Sequence, residues 1–175
     1  MSLITIGAAA SAFISASLML LETYQCTTFE CCNDRWIVQN STLLKEQLNA
    51  RLYGQPFATR ILTKTIVNHW SESSPPLPLV LMLHGPTGTG KNHISRLLAQ
   101  SMFTAGLDSR FINYYSSTRH FKNGEKLVEY GETLQHEIES NLTVCDRQLF
   151  IFDEARRYPP KLLDYLAQYF DQGDF

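Results

Sequence analysis

Gly85, Pro86, Thr87, Gly88, Thr89, Gly90, Lys91 and Asn92 stand in immediate succession, and their types suit one chemistry, the holding of phosphate. Glycine has no Cβ, so three of them in so short a stretch let the backbone curl with successive N–H groups turned inward. A helical pattern opens directly behind, over 92–103, and the free N–H groups of a helix start add partial positive charge. Lys91 follows the last glycine, where an ammonium group reaches the β- and γ-phosphates of a nucleotide. A tight turn without a ligand would account for the glycines but not for a lysine at the head of a helix. One position departs from the general pattern: Asn92 stands where a Ser or Thr hydroxyl normally meets magnesium, and its amide oxygen is a longer, differently aimed ligand.

Further along, Leu149-Phe150-Ile151-Phe152 runs into Asp153-Glu154, an apolar stretch of strand length ending in two carboxylates. Alone, such a pair is often just the solvated end of a strand. Behind a phosphate-binding loop it reads as a Walker-B element. Asp153 would hold the shell of a Mg2+ ion together with Asn92, and Glu154 would orient and polarise the attacking water, with Lys91 on the transferred phosphate.

These groups need elements to position them. The run Leu79-Val80-Leu81-Met82-Leu83 shows no alternation, which suits a strand covered on both faces, and it leads straight into the glycine loop. Behind it, strands over 110–115 and 148–152 alternate with helices over 92–103, 124–140 and 160–170, the order of an α/β parallel sheet. Ahead of it, Leu44, Leu48 and Leu52 recur along a helix over 42–52 that Gly54 stops. A second helix over 56–70 starts at Pro56 and carries Phe57, Ile61, Thr65 and His69 along one face, so the two helices form an N-terminal wing. A stiff connector, Ser73-Ser74-Pro75-Pro76-Leu77-Pro78, separates wing from sheet.

The chain has 175 residues, 44% of them hydrophobic, enough for one packed domain. Its net charge of -2 and the lack of any Lys/Arg run interleaved with aromatics exclude a nucleic-acid binder. Residues 3–21 are uniformly apolar or small, and Glu22 is the first charged side chain. That is a secretory signature, read either as a cleaved leader or as a retained membrane anchor. A buried core helix fits less well, because no polar face is present. The cysteines Cys26, Cys31, Cys32 and Cys145 and five scattered histidines do not make a zinc set, so unpaired thiols or a long-range bridge are the alternatives. Three segments follow: 1–21 as leader or anchor, 22–41 as a cysteine-bearing linker, and 42–175 as a partial ATPase domain.

Together, Leu52-Tyr53-Gly54-Gln55, a glycine loop ending in Lys91-Asn92, and Ile151-Phe152-Asp153-Glu154 resemble the torsins, AAA+ ATPases of the endoplasmic reticulum lumen and nuclear envelope related to Clp-type remodelling ATPases. Phe29-Glu30-Cys31-Cys32, Thr118-Arg119-His120-Phe121 and the sequon Asn141-Leu142-Thr143 carry the same resemblance, which extends from Cys26 to the end. It makes Asn92 a family trait. It implies a P-loop AAA+ fold, a parallel sheet flanked by helices, C-terminally truncated here, with ATP and Mg2+ as cofactors. It also implies Gly54 and Gln55 near the adenine, and 118–121 facing the central channel of an assembly, with homo-oligomers possible. Partners would be protein clients and membrane-spanning activators whose lumenal domains supply an arginine, since Arg156 and Arg157 qualify as a finger only by proximity.

Such a domain continues into further strands and sensor residues, one strand lying between the Walker-B and P-loop strands. A chain without it is expected to leave backbone unpaired beside the P-loop strand, so an inactive isoform that acts through ATP or partner binding is the second reading. A small-molecule kinase is disfavoured by the vicinal Asp153-Glu154 and the wing helices. Lumenal location fits the sequons at Asn40 and Asn141, although Asn40 equally suits a helix cap. In that lumen Cys26 is expected to bridge to Cys145, with Cys31 and Cys32 as rival partners.

Overall fold

In the computed structural model, residues 25–73, 75–117 and 127–170 are described. The apolar segment 3–21 and the expected channel-facing residues 118–121 lie outside them. Among the described residues, no helix is long and apolar enough to cross a membrane.

The wing forms as two helices, α1 (Ser41–Arg51) and α2 (Pro56–Ser71). The side chain of Asn40 accepts the N–H of Leu43 at 2.9 Å, so this asparagine does cap α1. Gly54 takes a left-handed φ of 70° in the turn between the helices, a conformation that costs glycine nothing. Which face of α2 is inward differs from expectation. Leu62 and Ile66 are buried with Thr59, while Phe57 and Ile61 stand 70% and 58% exposed. Both rows repeat at helical spacing, and only the direction from which Leu44 and Leu48 of α1 approach selects one of them. Helix α3 (Lys91–Met102) closes this first core with Ile94 and Leu97.

Strands β1 (Ile112–Ser116) and β2 (Leu149–Asp153) pair in parallel, with Tyr114 opposite Ile151 and Ser116 opposite Asp153. Helix α4 (Leu127–Val144) lies between them in sequence, as a parallel pair requires. Period-two alternation then sorts the side chains. Tyr115, Phe150 and Phe152 pack with Leu134 and Ile138 of α4 and with Leu162 and Leu166 of α5 (Pro160–Phe170). Ile112 and Leu149 face the other way, against Met102 and Phe103 at the end of α3. The sheet is thus covered on both faces. α4 and α5 approach so closely that a Cβ on Gly131 would lie 2.3 Å from the Tyr165 ring.

Residues 79–83 correct the expectation of a buried P-loop strand. Among the described residues they pair with no strand, and the sheet has two strands. Leu79, Leu81 and Leu83 lean on the first core while Val80 and Met82 are exposed, so the run is covered on one side only. The physical reason is that a ladder needs a partner strand at about 4.8 Å, and among the described residues none lies beside this segment.

The expected linker is partly a structural element. Ile37 is 2% exposed in a third core with Phe103, Phe111 and Cys145, and it forms an antiparallel bridge with Phe103. The cysteine pairing is corrected as well. Cys32, not Cys26, bonds Cys145, and Cys26 bonds Cys31. The bridge at Ile37, the hydrogen bond from Thr104 N to the Trp36 carbonyl (2.8 Å) and the Arg147–Asp34 ion pair (2.6 Å) lay residues 34–37 against the body. That anchoring delivers Cys32 to Cys145, at a Cα separation of 5.5 Å. Cys26 is left to its neighbour five residues away.

Candidate nucleotide-binding site

The glycine loop folds as its composition dictates. Gly85, Gly88 and Gly90 all have positive φ, and nothing lies within 4 Å of where a Cβ on Gly88 would sit, so the crest of the loop is open. Gly90 caps α3 in the left-handed region, which turns the first N–H groups of the helix, free of intrahelical partners, toward the loop. Lys91 Nζ donates to the carbonyls of Gly85 and Pro86, each at 2.8 Å, and Thr89 Oγ1 donates to the Pro86 carbonyl at 2.9 Å. The loop is therefore braced from inside by its own lysine.

Opposite the loop, β2 ends at Asp153. Asn92 Nδ2 donates to Asp153 Oδ2 at 3.1 Å, a contact between residues 61 positions apart that brings the two motifs into one site. Asp153 Oδ1 accepts the N–H of Glu154 at 2.8 Å, and the Tyr114 hydroxyl donates to Oδ2. Glu154 has a left-handed φ of 57°, unusual for a residue with a Cβ, and starts the 3-10 turn Ala155–Arg157. Its Oε2 accepts from Ser117 Oγ at 3.2 Å and pairs with Arg157 Nη1 at 3.3 Å. Arg157 itself is 64% exposed, so this is a surface pair. Behind the carboxylates, buried Tyr158 donates to the Tyr115 carbonyl at 2.9 Å. Burial and the nearby Asp153 charge push its phenol well above the usual tyrosine range.

Gly54 and Gln55, expected near an adenine, line a cavity of ≈ 530 Å³ between α1 and α2, along with Leu52, Lys45 and Arg60. Leu52 also touches the loop: its Cδ1 lies 3.2 Å from where a Cβ on Gly90 would be. Cavity and loop are therefore contiguous through one side chain.

The residues present fit a Mg2+–nucleotide. Asp153 and Asn92 offer hard oxygen ligands from adjacent side chains, and the open loop and helix start offer donors to phosphate. Sequence reasoning placed Lys91, Asn92, Asp153 and Glu154, and the fold brings all four to one end of the sheet. It passed over Tyr114 and Ser117, and it read Arg157 chiefly as a solvated residue, which its 64% exposure fits. Only the strand register puts Tyr114 on the Asp153 face, two pairs along the ladder. The sequon residue Asn141 lies in α4, half-buried, with its Nδ2 bonded to Asn113 Oδ1 at 2.9 Å.

A glycine loop capping a helix beside a parallel strand that ends in Asp-Glu is an α/β arrangement of the P-loop kind, and the family match makes it that of the AAA+ proteins. The torsin family model matches residues 26–152, and the chain belongs to the torsin family. It is 34% identical over 167 residues to a torsin-like protein of Caenorhabditis elegans, covering 95% of this chain and 46% of that one. Against human Torsin-3A it is 34% identical over 157 residues, covering 89% of this chain and 40% of the relative. The chain thus spans less than half the length of these relatives.

Proposed function

We propose that this chain binds ATP with Mg2+ on the loop of residues 85–92 and that, in torsin-like fashion, ATP hydrolysis serves the remodelling of protein complexes. The observation that carries the reading is the Asn92–Asp153 contact, which sets the phosphate loop and the acidic strand end at one point. Asn92 and Asp153 would hold the cation, which supplies charge neutralisation at the phosphates. Lys91 would exchange its bonds to the Gly85 and Pro86 carbonyls for phosphate oxygens. Glu154 would take the proton of the attacking water once Ser117 and Arg157 release it, and Gly54 and Gln55 would border the base in the adjoining cavity.

The test is binding of a fluorescent ADP or ATP analogue to the full chain and to Lys91→Ala. Loss of at least tenfold in affinity is expected, since the lysine is a charged partner of phosphate, and equal binding in both would refute the assignment. Nucleotide binding without turnover is the second reading, and the bonds of Ser117 and Arg157 to Glu154 Oε2 are the ones that turnover would have to exchange. Turnover that Glu154→Gln abolishes supports the enzyme, and its complete absence in the unaltered chain supports the second reading.

Location in the lumen of the endoplasmic reticulum or nuclear envelope belongs to the same proposal. Two disulfides suit an oxidising compartment, and so does the exposed sequon at Asn40. Activation, as the torsin resemblance implies, would come from membrane-spanning partners that present an arginine in trans. Homo-oligomers and protein clients complete the reading. Glycosidase sensitivity of the expressed chain checks the location, and stimulation of turnover by an arginine-bearing lumenal domain, lost on its Arg→Ala change, checks the activation.

A further inference from the structure

Asp153 is held from three sides: Asn92 Nδ2 and the Tyr114 hydroxyl both donate to Oδ2, and the Glu154 N–H donates to Oδ1. A carboxylate oxygen has two lone pairs, so Oδ2 has both occupied. The Glu154 bond comes from the backbone of the next residue and travels with Asp153. Asn92 can turn its amide oxygen to a cation while remaining beside the carboxylate. The phenol follows neither course: it acts as a donor to the carboxylate, and its neutral oxygen is a far weaker ligand for a hard cation than a carboxylate or amide oxygen. Its place is fixed by the sheet: Tyr114 sits opposite Ile151, so Asp153 is its diagonal neighbour on the same face, within reach of a long side chain. Tyr114 is also 46% exposed, so its ring is not a packing element of the core, unlike Tyr115 at 7%.

We propose that Tyr114 is a positioning residue that latches Asp153 in the cation-free site and so sets the concentration of divalent cation the site requires. Oδ2 is the oxygen that faces Asn92, so a cation shared by Asp153 Oδ2 and Asn92 displaces the phenol, and the strength of that charge-assisted bond adds to the cation requirement. The inference rests on the Mg2+–nucleotide reading given above.

The experiment measures the Mg2+ dependence of fluorescent-ADP binding by the full chain and by Tyr114→Phe, which removes only the hydroxyl. Half-saturating Mg2+ is expected to fall about three- to tenfold, the range an ordinary net hydrogen bond supports where solvent competes for the half-exposed phenol, with nucleotide affinity in EDTA unchanged. A half-saturating concentration that stays the same or rises overturns the latch, as does an equal change of affinity in EDTA, which marks a merely structural effect. Tyr114→Leu, also without a donor, is expected to behave alike. The unaltered chain gives an independent measurement. Saturated with ADP, it should show one tyrosine shifting to shorter wavelength in the ultraviolet difference spectrum as Mg2+ is added, and no such band overturns the proposal. Failure of the unaltered chain to bind ADP at all would instead remove the reading beneath it, and the latch with it.

Discussion

The two halves of the site are built by different means. Asp153 and Glu154 end a strand whose backbone is paired with β1 and whose two faces are covered by helices. The glycine loop follows a segment held by three leucines on one side, with Val80 and Met82 open to solvent. A backbone ladder fixes direction and register at every residue, whereas apolar packing is non-directional. The acidic half is therefore located by the sheet. The phosphate half is located by α3, by Leu52 against Gly90 and by the Asn92–Asp153 contact.

Amide exchange is the sharpest way to break this comparison. The N–H groups of β1 and β2 that bond across the pair should exchange at least about a hundredfold more slowly than those of residues 79–83, since local opening is set by buried, paired backbone. Equal protection would mean that the loop segment is as firmly laddered as β2.

The second largest effect is expected from the long-range bridge. Cys32–Cys145 closes a loop with a sequence separation of 113, for which chain entropy alone gives about 5 kcal/mol. Cys145→Ser should lower the denaturation midpoint accordingly, while a Cys26→Ser, Cys31→Ser pair, which opens only a five-residue separation, should cost distinctly less. The reverse order would overturn the pairing.

Next comes Gly131→Ala, which sets a methyl 2.3 Å from the Tyr165 ring and should cost about 1 to 3 kcal/mol in thermal unfolding by overpacking. A stabilised variant, as helix propensity alone would give, would show that α4 and α5 are not in such close approach.

Tyr158→Phe removes a buried hydrogen bond to the Tyr115 carbonyl and should cost about 1 kcal/mol at neutral pH. Its pH signature is separate. Because the folded phenol is raised above its unfolded value, the stability it provides is fully present below about pH 10 and is lost as pH rises further, when the unfolded chain ionises first. Tyr115, raised chiefly by burial and then by Glu137, behaves in the same sense. Alkaline unfolding above pH 10 should therefore be shallower in Tyr158→Phe, as a denaturant series at stepped pH would reveal.

The smallest effect belongs to Met82→Ser. At 75% exposed, this residue should tolerate the change within about 0.5 kcal/mol, whereas the same change in a strand covered on both faces would cost several times more.

The sequence by itself determined what depends on residue type and short spacing. The loop of Gly85 to Asn92 needs glycines for its positive φ values and a lysine at the helix head, and those demands are local. The alternation of strand and helix from α3 onward was equally legible, because apolar periodicity is set within each segment. Tertiary structure decided whatever depends on a distant neighbour. Whether residues 79–83 form a strand turns on a partner for their backbone, and which row of α2 is inward turns on where α1 lies. The choice of Cys32 for Cys145 turns on Ile37 joining Phe103, a contact between residues that no pattern links. The same holds for Tyr114: the face it shares with Asp153 and its bond to that carboxylate both follow from the one register in which β1 and β2 align.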